Sequence, residues 1–406
     1  MKKTIAIIAS LDTKETEVLF LLNIFKQSGH EVFIIDIGVK KSTLVNSQIN
    51  AITIAKEDGH YWNSPMDVPK HEMIDVLKRG VSKLIPKLYN KGLFEAIISI
   101  GGLQNTTVAV SAMKKLPIGF PKVMVSTVAS GKRHFETIVG STDIIVIPSI
   151  ADFAGSNVIT DTVLRNAAAA IIGIVENAGK ALGSIDSLLI GLTTMGVVNE
   201  GSSKIINKLK KKGHEVVSFH STGVGGRILD ELVGNGVINA TIEFSLHEIV
   251  GELFGGYSSG ALNRLVNSCK KGIPQLVVPG ACDFIDLDTL GLEKDMLERK
   301  HIYHNSDLIH IKLLKSEIVK VGDLIAKRLN ESDGPVTLII PLQGFRAGTG
   351  KGEPLYDPDI DQALISTLKA KVKESIKIIE VDSNINDDKF SFLVLNEMEK
   401  LLLLNQ

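Results

Sequence analysis

The sequence predicts an α/β protein built as two Rossmann-like domains, each a doubly wound parallel sheet, related to one another by internal duplication. Three observations predict it. The chain repeats itself: Thr4 to Phe33 and Leu188 to Val217 align without a gap, and Gly29-His30-Glu31-Val32 recurs as Gly213-His214-Glu215-Val216. Short apolar runs alternate with segments of helical spacing, the pattern of βαβ units with right-handed crossovers. Apolar residues make up 44% of the 406, aromatics only 5%, and there are 36 glycines. Such an Ile-, Val- and Ala-rich composition suits strands covered by helices on both faces.

Further matches extend the duplication. Gly101-Gly102 is expected to correspond to Gly255-Gly256, and Ile118-Gly119-Phe120-Pro121 to Gly272-Ile273-Pro274. The closer spacing of these pairs implies extra residues in the first copy. They coincide with Lys40 to Pro69, an irregular stretch holding Asp58-Gly59, Asn63-Ser64-Pro65 and the only tryptophan, Trp62. That stretch reads as a lid or a partner surface. A Gly- and Ser-bearing segment, Ala178 to Ser184, marks the boundary, giving domains 1–183 and 184–406. Two similar lobes imply a ligand cleft between them.

The elements follow in order. Ile5–Ile8 is the first strand; a polar turn at Ser10, Asp12 and Thr13 leads into a helix over Glu17–Lys26 that Gly29 ends. Val32–Ile37, Ala96–Ile100, Lys122–Ser126 and Asp143–Ile147 are strands, Met73–Leu88 and Thr106–Lys115 helices. Ser156 or Asn157 caps a long helix through Ala167–Val175. The second copy has strands at Leu188–Leu192, Val216–His220, Ile238–Ile242 and Gln275–Val278. Beyond it lie strands Val336–Ile340 and Lys377–Val381, and Asn386-Asp387-Asp388 caps a terminal helix.

Composition excludes several classes. A net charge of −1 offers no field for nucleic acid or anionic membrane, and few aromatics argue against single-strand stacking platforms. Two cysteines, Cys269 and Cys282, make neither a disulfide framework nor a metal site and fit a reducing, cytoplasmic setting. No stretch reaches the roughly 18 apolar residues of a membrane helix. His301, His304 and His310 lack the carboxylate or Cys partner a zinc site needs. Gly350-Lys351-Gly352 fails as a P-loop because no Ser or Thr follows Lys351 and Pro354 blocks the helix.

In open α/β sheets ligands lie beyond the carboxyl ends of the strands, so the residues following each strand are the candidates. In the first lobe they are Asp12, Thr13, Lys14, Gly101, Gly102, Thr106, Ser126 and Ser130. Hydroxyls, glycines and open helix N-termini on one rim suit a phosphate or carboxylate. In the second lobe, His220-Ser221-Thr222-Gly223-Val224-Gly225-Gly226-Arg227 follows a strand and opens a helix. Gly223, Gly225 and Gly226 permit close backbone approach, though this is not GxGxxG, whose last Gly would fall at Ile228. Arg227 could clamp an anion, His220 move a proton, and Glu243 and Asp283 supply carboxylates to an enzyme acting on a phosphorylated or carboxylated small molecule.

Leu11-Asp12-Thr13-Lys14-Glu15-Thr16-Glu17, the run Leu116 to Gly131, His220 to Arg227, Glu243, and Gly255-Gly256 through Arg264 together resemble the tobamovirus-resistance (Tm-one-like) ATP-binding domain family. The resemblance spans nearly the whole chain. It implies two Rossmann-like domains, a homodimer, and ATP, with or without magnesium, bound at the first-lobe rim. Two departures stand out. Leu103-Gln104-Asn105-Thr106 replaces a second glycine pair, and Phe345-Arg346-Ala347-Gly348 stands where the family carries an Asp.

Overall fold

The computed structural model describes residues 2–40, 42, 44–129, 139–140, 142–177 and 188–403, and the chain divides into two units, Met1–Ser184 and Ile185–Gln406. The first unit runs β1 (Thr4–Ala9), α1 (Leu11–Gln27), β2 (Glu31–Asp36), α2 (Ala51–Glu57), α3 (Lys70–Asn90), β3 (Ala96–Gly101), α4 (Leu103–Met113), β4 (Lys122–Ser126), β5 (Ile145–Pro148) and α5 (Val158–Asn177). Its strands pair in parallel in the order β2-β1-β3-β4-β5. One apolar layer under α1 and α5 centres on Ile5, Ile7, Val18 and Leu164. The other, under α2, α3 and α4, centres on Ile8, Leu77, Ile97 and Val108.

The second unit runs β6 (Leu189–Thr194), α6 (Asn199–Lys211), β7 (Glu215–His220), α7 (Gly225–Gly234), β8 (Ala240–Glu243), α8 (His247–Phe254), α9 (Val266–Lys271) and β9 (Gln275–Val277). It continues through β10 (Phe284–Asp288), α10 (Lys294–Glu298), β11 (His301–Tyr303), β12 (Leu308–Lys312) and α11 (Lys315–Asn330). It closes with β13 (Val336–Pro341), α12 (Pro358–Lys371), β14 (Lys377–Val381) and α13 (Asp388–Leu403). The large sheet has the order β14-β13-β9-β8-β6-β7 and is parallel throughout. Taken from β7 inward, it repeats the strand order of the first sheet and adds one strand.

The repeat reaches individual hydrogen bonds. The Thr4 amide donates to the Glu95 carboxylate at 2.8 Å, and the Leu189 amide to the Asn239 side-chain oxygen at 3.2 Å. The Ile97 amide reaches the Pro121 carbonyl at 2.9 Å, and that of Thr241 the Pro274 carbonyl at 3.0 Å. Two details of the expected alignment are corrected. Ile5 sits opposite Val32 and Ala96, whereas Ile190 sits opposite Val216 and Ala240, so the first strands correspond one residue away from the gap-free match. Gly101-Gly102 closes a strand, while Gly255-Gly256 ends helix α8, with Gly255 at φ 80°. The two glycine pairs are therefore not counterparts; the residue equivalent to Ser99, opposite Ile8 in β1, is Glu243, opposite Thr193 in β6.

Other expectations shift for local reasons. The polar turn after β1 is already the first turn of α1, which is kinked at Lys14 (φ −131°, ψ 22°). The excursion is more regular than anticipated. Asn50 caps α2 by accepting from Thr53, and Trp62 packs half-buried against the first unit's core. Asn157 caps α5 by accepting from the Ile159 and Thr160 amides. By length and composition α5 could cross a membrane, contrary to expectation, yet its Leu164, Ala167, Ala168 and Ile171 are buried in the sheet-packing core. A small antiparallel sheet, β10-β12-β11, was not expected at all.

Candidate functional site at the first switch point

In a sheet of order 2-1-3-4-5 the connections leave β1 and β3 toward opposite faces, and a crevice opens beyond their carboxyl ends. The tips of β1 and β3 are joined there by one side chain. Asn105 accepts from the Ser10 amide at 3.0 Å and donates to the Ser99 hydroxyl at 2.8 Å and the Ile100 carbonyl at 2.6 Å. Gly101, at φ 151°, must be glycine because a Cβ would lie 2.6 Å from that of Asn105.

Gly102 is different. A Cβ built on it would meet only the Thr127 hydroxyl at 3.6 Å, an ordinary contact. It is the N-cap of α4 and provides no side-chain cap. The amides of Leu103, Gln104 and Asn105 have no acceptor among the described residues; the first helical bond is Thr106 to the Gly102 carbonyl. Three orphan donors and the positive end of a helix dipole thus face the crevice.

The other first-lobe candidates do structural work around this opening. Asp12 accepts from the Val39 and Lys40 amides at 3.0 and 3.3 Å, pinning the loop that follows β2. Thr13 is exposed and its hydroxyl returns to the Ser10 carbonyl. Lys14 donates to the Phe153 carbonyl at 2.6 Å. Thr106 and Ser126 are buried and bonded to each other at 2.8 Å, so neither hydroxyl is offered to a ligand in this arrangement. Ser130 lies outside the described residues. Sequence reasoning missed Asp36, whose carboxylate accepts from Leu11 at 3.0 Å and Gly38 at 2.8 Å. Burial raises its pKa against the help of those amides, and Asp12 raises it further. Its place at the end of β2, beside β1, was the available signal.

The equivalent point in the second unit, between β6 and β8, is filled by the protein itself. Glu243 is buried, accepts from the Thr193 hydroxyl at 3.1 Å, and takes both terminal nitrogens of Arg264 at 3.2 and 2.6 Å. Glu248 meets Arg264 Nε at 2.7 Å and accepts from the Gly223 and Gly226 amides at 2.9 and 3.0 Å. The glycine loop does cradle a carboxylate, but the carboxylate is the chain's own. A Cβ on Gly226 would fall 1.7 Å from Glu248 Oε2 and 2.2 Å from Arg264 Nε. On Gly223 it would fall 2.3 Å from the Ser259 carbonyl, and on Gly225 2.1 Å from that of His220. Internal packing therefore accounts for all three glycines. Burial opposes the charge on Arg264, but Glu243 and Glu248 outweigh it and hold the guanidinium ionised.

Of the four residues grouped as catalytic, two are committed to buried partners. His220 is exposed at the tip of β7. Arg227 lies one turn into α7, with its Nε and Nη2 buried and unpartnered. Glu243 is committed to Arg264. Asp283 is fully buried against Lys312 at 2.7 Å and Arg346 at 3.5 Å, and Lys312 also bonds Asp361 at 3.0 Å. Burial alone would raise the Asp283 pKa, but Lys312 and Arg346 bring it below the ordinary value. A free general base needs a lone pair to spare, and neither Glu243 nor Asp283 keeps one in an accessible place.

Residues 3–180 match the N-terminal domain, and residues 187–402 the C-terminal domain, of the uncharacterised protein family UPF0261. A UPF0261 protein of Clostridium tetani is 34% identical over 410 residues, covering 98% of this chain and all of that protein. The ToMV resistance protein Tm-1(GCR237) of Solanum lycopersicum is 30% identical over 325 residues, which is 78% of this chain and 43% of the tomato protein. Among solved structures, MurG of Acinetobacter baumannii aligns over 98% of this chain and 90% of its own at 11% identity. Its TM-score is 0.23, too slight a likeness to carry any argument.

Proposed function

The chain belongs to the uncharacterised protein family UPF0261, and from that premise we propose that it is a nucleotide-binding protein whose first unit takes ATP at the β1/β3 switch point. The observation that carries this reading is the bare N-terminus of α4. Among the described residues its three first-turn amides lack acceptors, and the glycine before them is demanded by no neighbour. In the glycine loop of the second unit, by contrast, the Gly223 and Gly226 amides are matched by Glu248. An opening left unfilled at the fold's natural ligand crevice is best understood as a place for an oxyanion, which the helix dipole and free N–H groups favour. The resemblance of Leu11 to Glu17 and of Leu116 to Gly131 to an ATP-binding domain family narrows that oxyanion to a nucleotide phosphate.

In this reading the terminal phosphates lie against Gly102 and the amides of Leu103, Gln104 and Asn105. Asn105 and Asp12 hold the two flanking loops rigid, so that binding does not have to order them. Thr127, half-buried next to Gly102, is the nearest hydroxyl available to the nucleotide. Among the described residues no group of three His, Cys, Asp or Glu side chains is arranged to hold a metal ion, so magnesium would arrive on the triphosphate.

Calorimetric titration of the full chain with ATP, ADP and AMP tests the proposal. ATP and ADP are expected to release heat with one site per chain, and AMP to bind more weakly because it brings fewer phosphate oxygens. No heat and no shift in melting temperature with any of the three would reject it.

A further inference from the structure

The second unit holds a cavity beside the glycine loop and its internal carboxylate. Its volume is about 510 Å³, and it is lined by Arg227, Asp230 and Glu231 of α7, by Gly260, Leu262 and Asn263 of the loop between α8 and α9, and by Val266, Asn267 and Lys270 of α9. That volume lies within the range of small-metabolite sites.

Three independent features point to a ligand. Arg227 Nε and Nη2 are buried and have no hydrogen-bond partner. These are the two guanidinium nitrogens whose N–H bonds run parallel along one edge, the fork that receives two oxygens of a carboxylate or phosphate. Leaving such a pair buried and unmet is costly, because donors removed from water lose hydration without replacement. Glu231, one turn along α7, would be the obvious internal partner, yet it forms no ion pair with Arg227. The second feature is a rigid floor. Asn267 donates from its amide to Asp230 at 3.0 Å, and from its side chain to the Asp230 carboxylate and carbonyl at 2.7 and 3.0 Å, bolting α9 to α7. The third is strain. Asn263 and Leu265 adopt φ of 72° and 71°, two of only four non-glycine residues with positive φ among the described residues, and Asn263 faces the cavity. A left-handed leucine is costly and persists where the surroundings require that backbone path.

We propose that this cavity binds a small hydroxylated oxyanion of the sugar-phosphate class. The phosphate takes the Arg227 fork, with Lys270 as the second cation. The hydroxyls are met by groups on the same walls that the floor does not use: the Glu231 carboxylate, the Asn263 side-chain amide and the Asn267 side-chain oxygen. Asp230 carries a carboxyl raised to about 6 by burial, opposed by its Asn267 bond, and so adds little negative charge to repel the phosphate near that pH.

The test uses the full chain with ribose 5-phosphate, inorganic phosphate and ribose as probes, followed by calorimetry and thermal shift. Ribose 5-phosphate is expected to bind most tightly, phosphate more weakly, and ribose not detectably. Arg227→Gln and, separately, Lys270→Gln are expected to weaken ribose 5-phosphate at least about tenfold. Lys270 is exposed, so its substitution leaves folding intact and guards against a misfolded Arg227 variant. Absence of binding by ribose 5-phosphate, or binding unchanged in both variants, overturns the proposal. Because this site and the α4 N-terminus lie in different units, loss of one kind of ligand leaves the other reading standing.

Discussion

The glycines of this chain separate into two kinds once their neighbours are known. Gly223, Gly225 and Gly226 are required by atoms of the protein itself, whereas Gly102 is required by none. Replacing Gly226 by Ala drives a methyl group into the Glu248–Arg264 pair and pushes Glu248 away from two amides. Breaking a buried ion pair costs about 3–5 kcal/mol, so Gly226→Ala is expected to lower the unfolding midpoint sharply in urea titration. Gly102→Ala, with only the Thr127 hydroxyl at contact distance, is expected to change stability by less than about 1 kcal/mol. Equal losses in the two variants would contradict the distinction. From the sequence the two glycine clusters looked alike. The partner that tells them apart, Glu248, lies on another helix more than twenty residues along the chain, and no local pattern links it to Gly226.

At the scale of elements, strands were the most legible feature. Lys122–Ser126 and Lys377–Val381 were predicted with their observed bounds, because Pro121 and the apolar runs punctuate them unambiguously. Helix starts were less legible. Leu11 follows β1 with one residue between, and the polar side chains of Asp12 and Thr13 read as a turn although they occupy the first helical turn. In the small sheet His301–Tyr303 is three residues long, and alternation over so few positions carries no signal. Site residues followed the same rule. Position beyond a strand picked out Gly102, whose Cβ position is uncrowded, and Arg227, which lines a cavity. It also picked out Glu243, Asp283, Thr106 and Ser126, whose chemistry is spent on buried neighbours.

The molecule as a whole consists of one strand plan used twice, with the switch point left open by the described residues in the first unit and occupied by Glu243, Arg264 and Glu248 in the second. The second unit also carries a buried charge network that makes its stability respond to acid. His310 is held neutral, its pKa lowered to about 3 by burial and by Arg346, with His247 and His304 adding to the effect and Asp286 opposing it. A histidine depressed in the folded state contributes stability that is complete above its unfolded value of about 6.5 and declines as pH falls toward 3. Asp230 and Asp361, each raised to about 6 chiefly by burial, work in the opposite sense, since their protonation between pH 6 and 4 favours the folded state. The histidine's share is isolated by comparison with His310→Gln, which keeps an acceptor for Arg346 but cannot take up a proton. Relative to the variant, the native chain is expected to lose about 3 kcal/mol between pH 7 and pH 4, measured by urea unfolding at each pH. A constant difference across that range would show that His310 is not the sensor.

Whether the N-terminus of α4 holds nucleotide phosphates is tested most directly by a crystal of the full chain grown with ATP and magnesium. Phosphate density is expected against Gly102 and the amides of Leu103, Gln104 and Asn105. A nucleotide bound elsewhere, with those three amides facing only water, would contradict it.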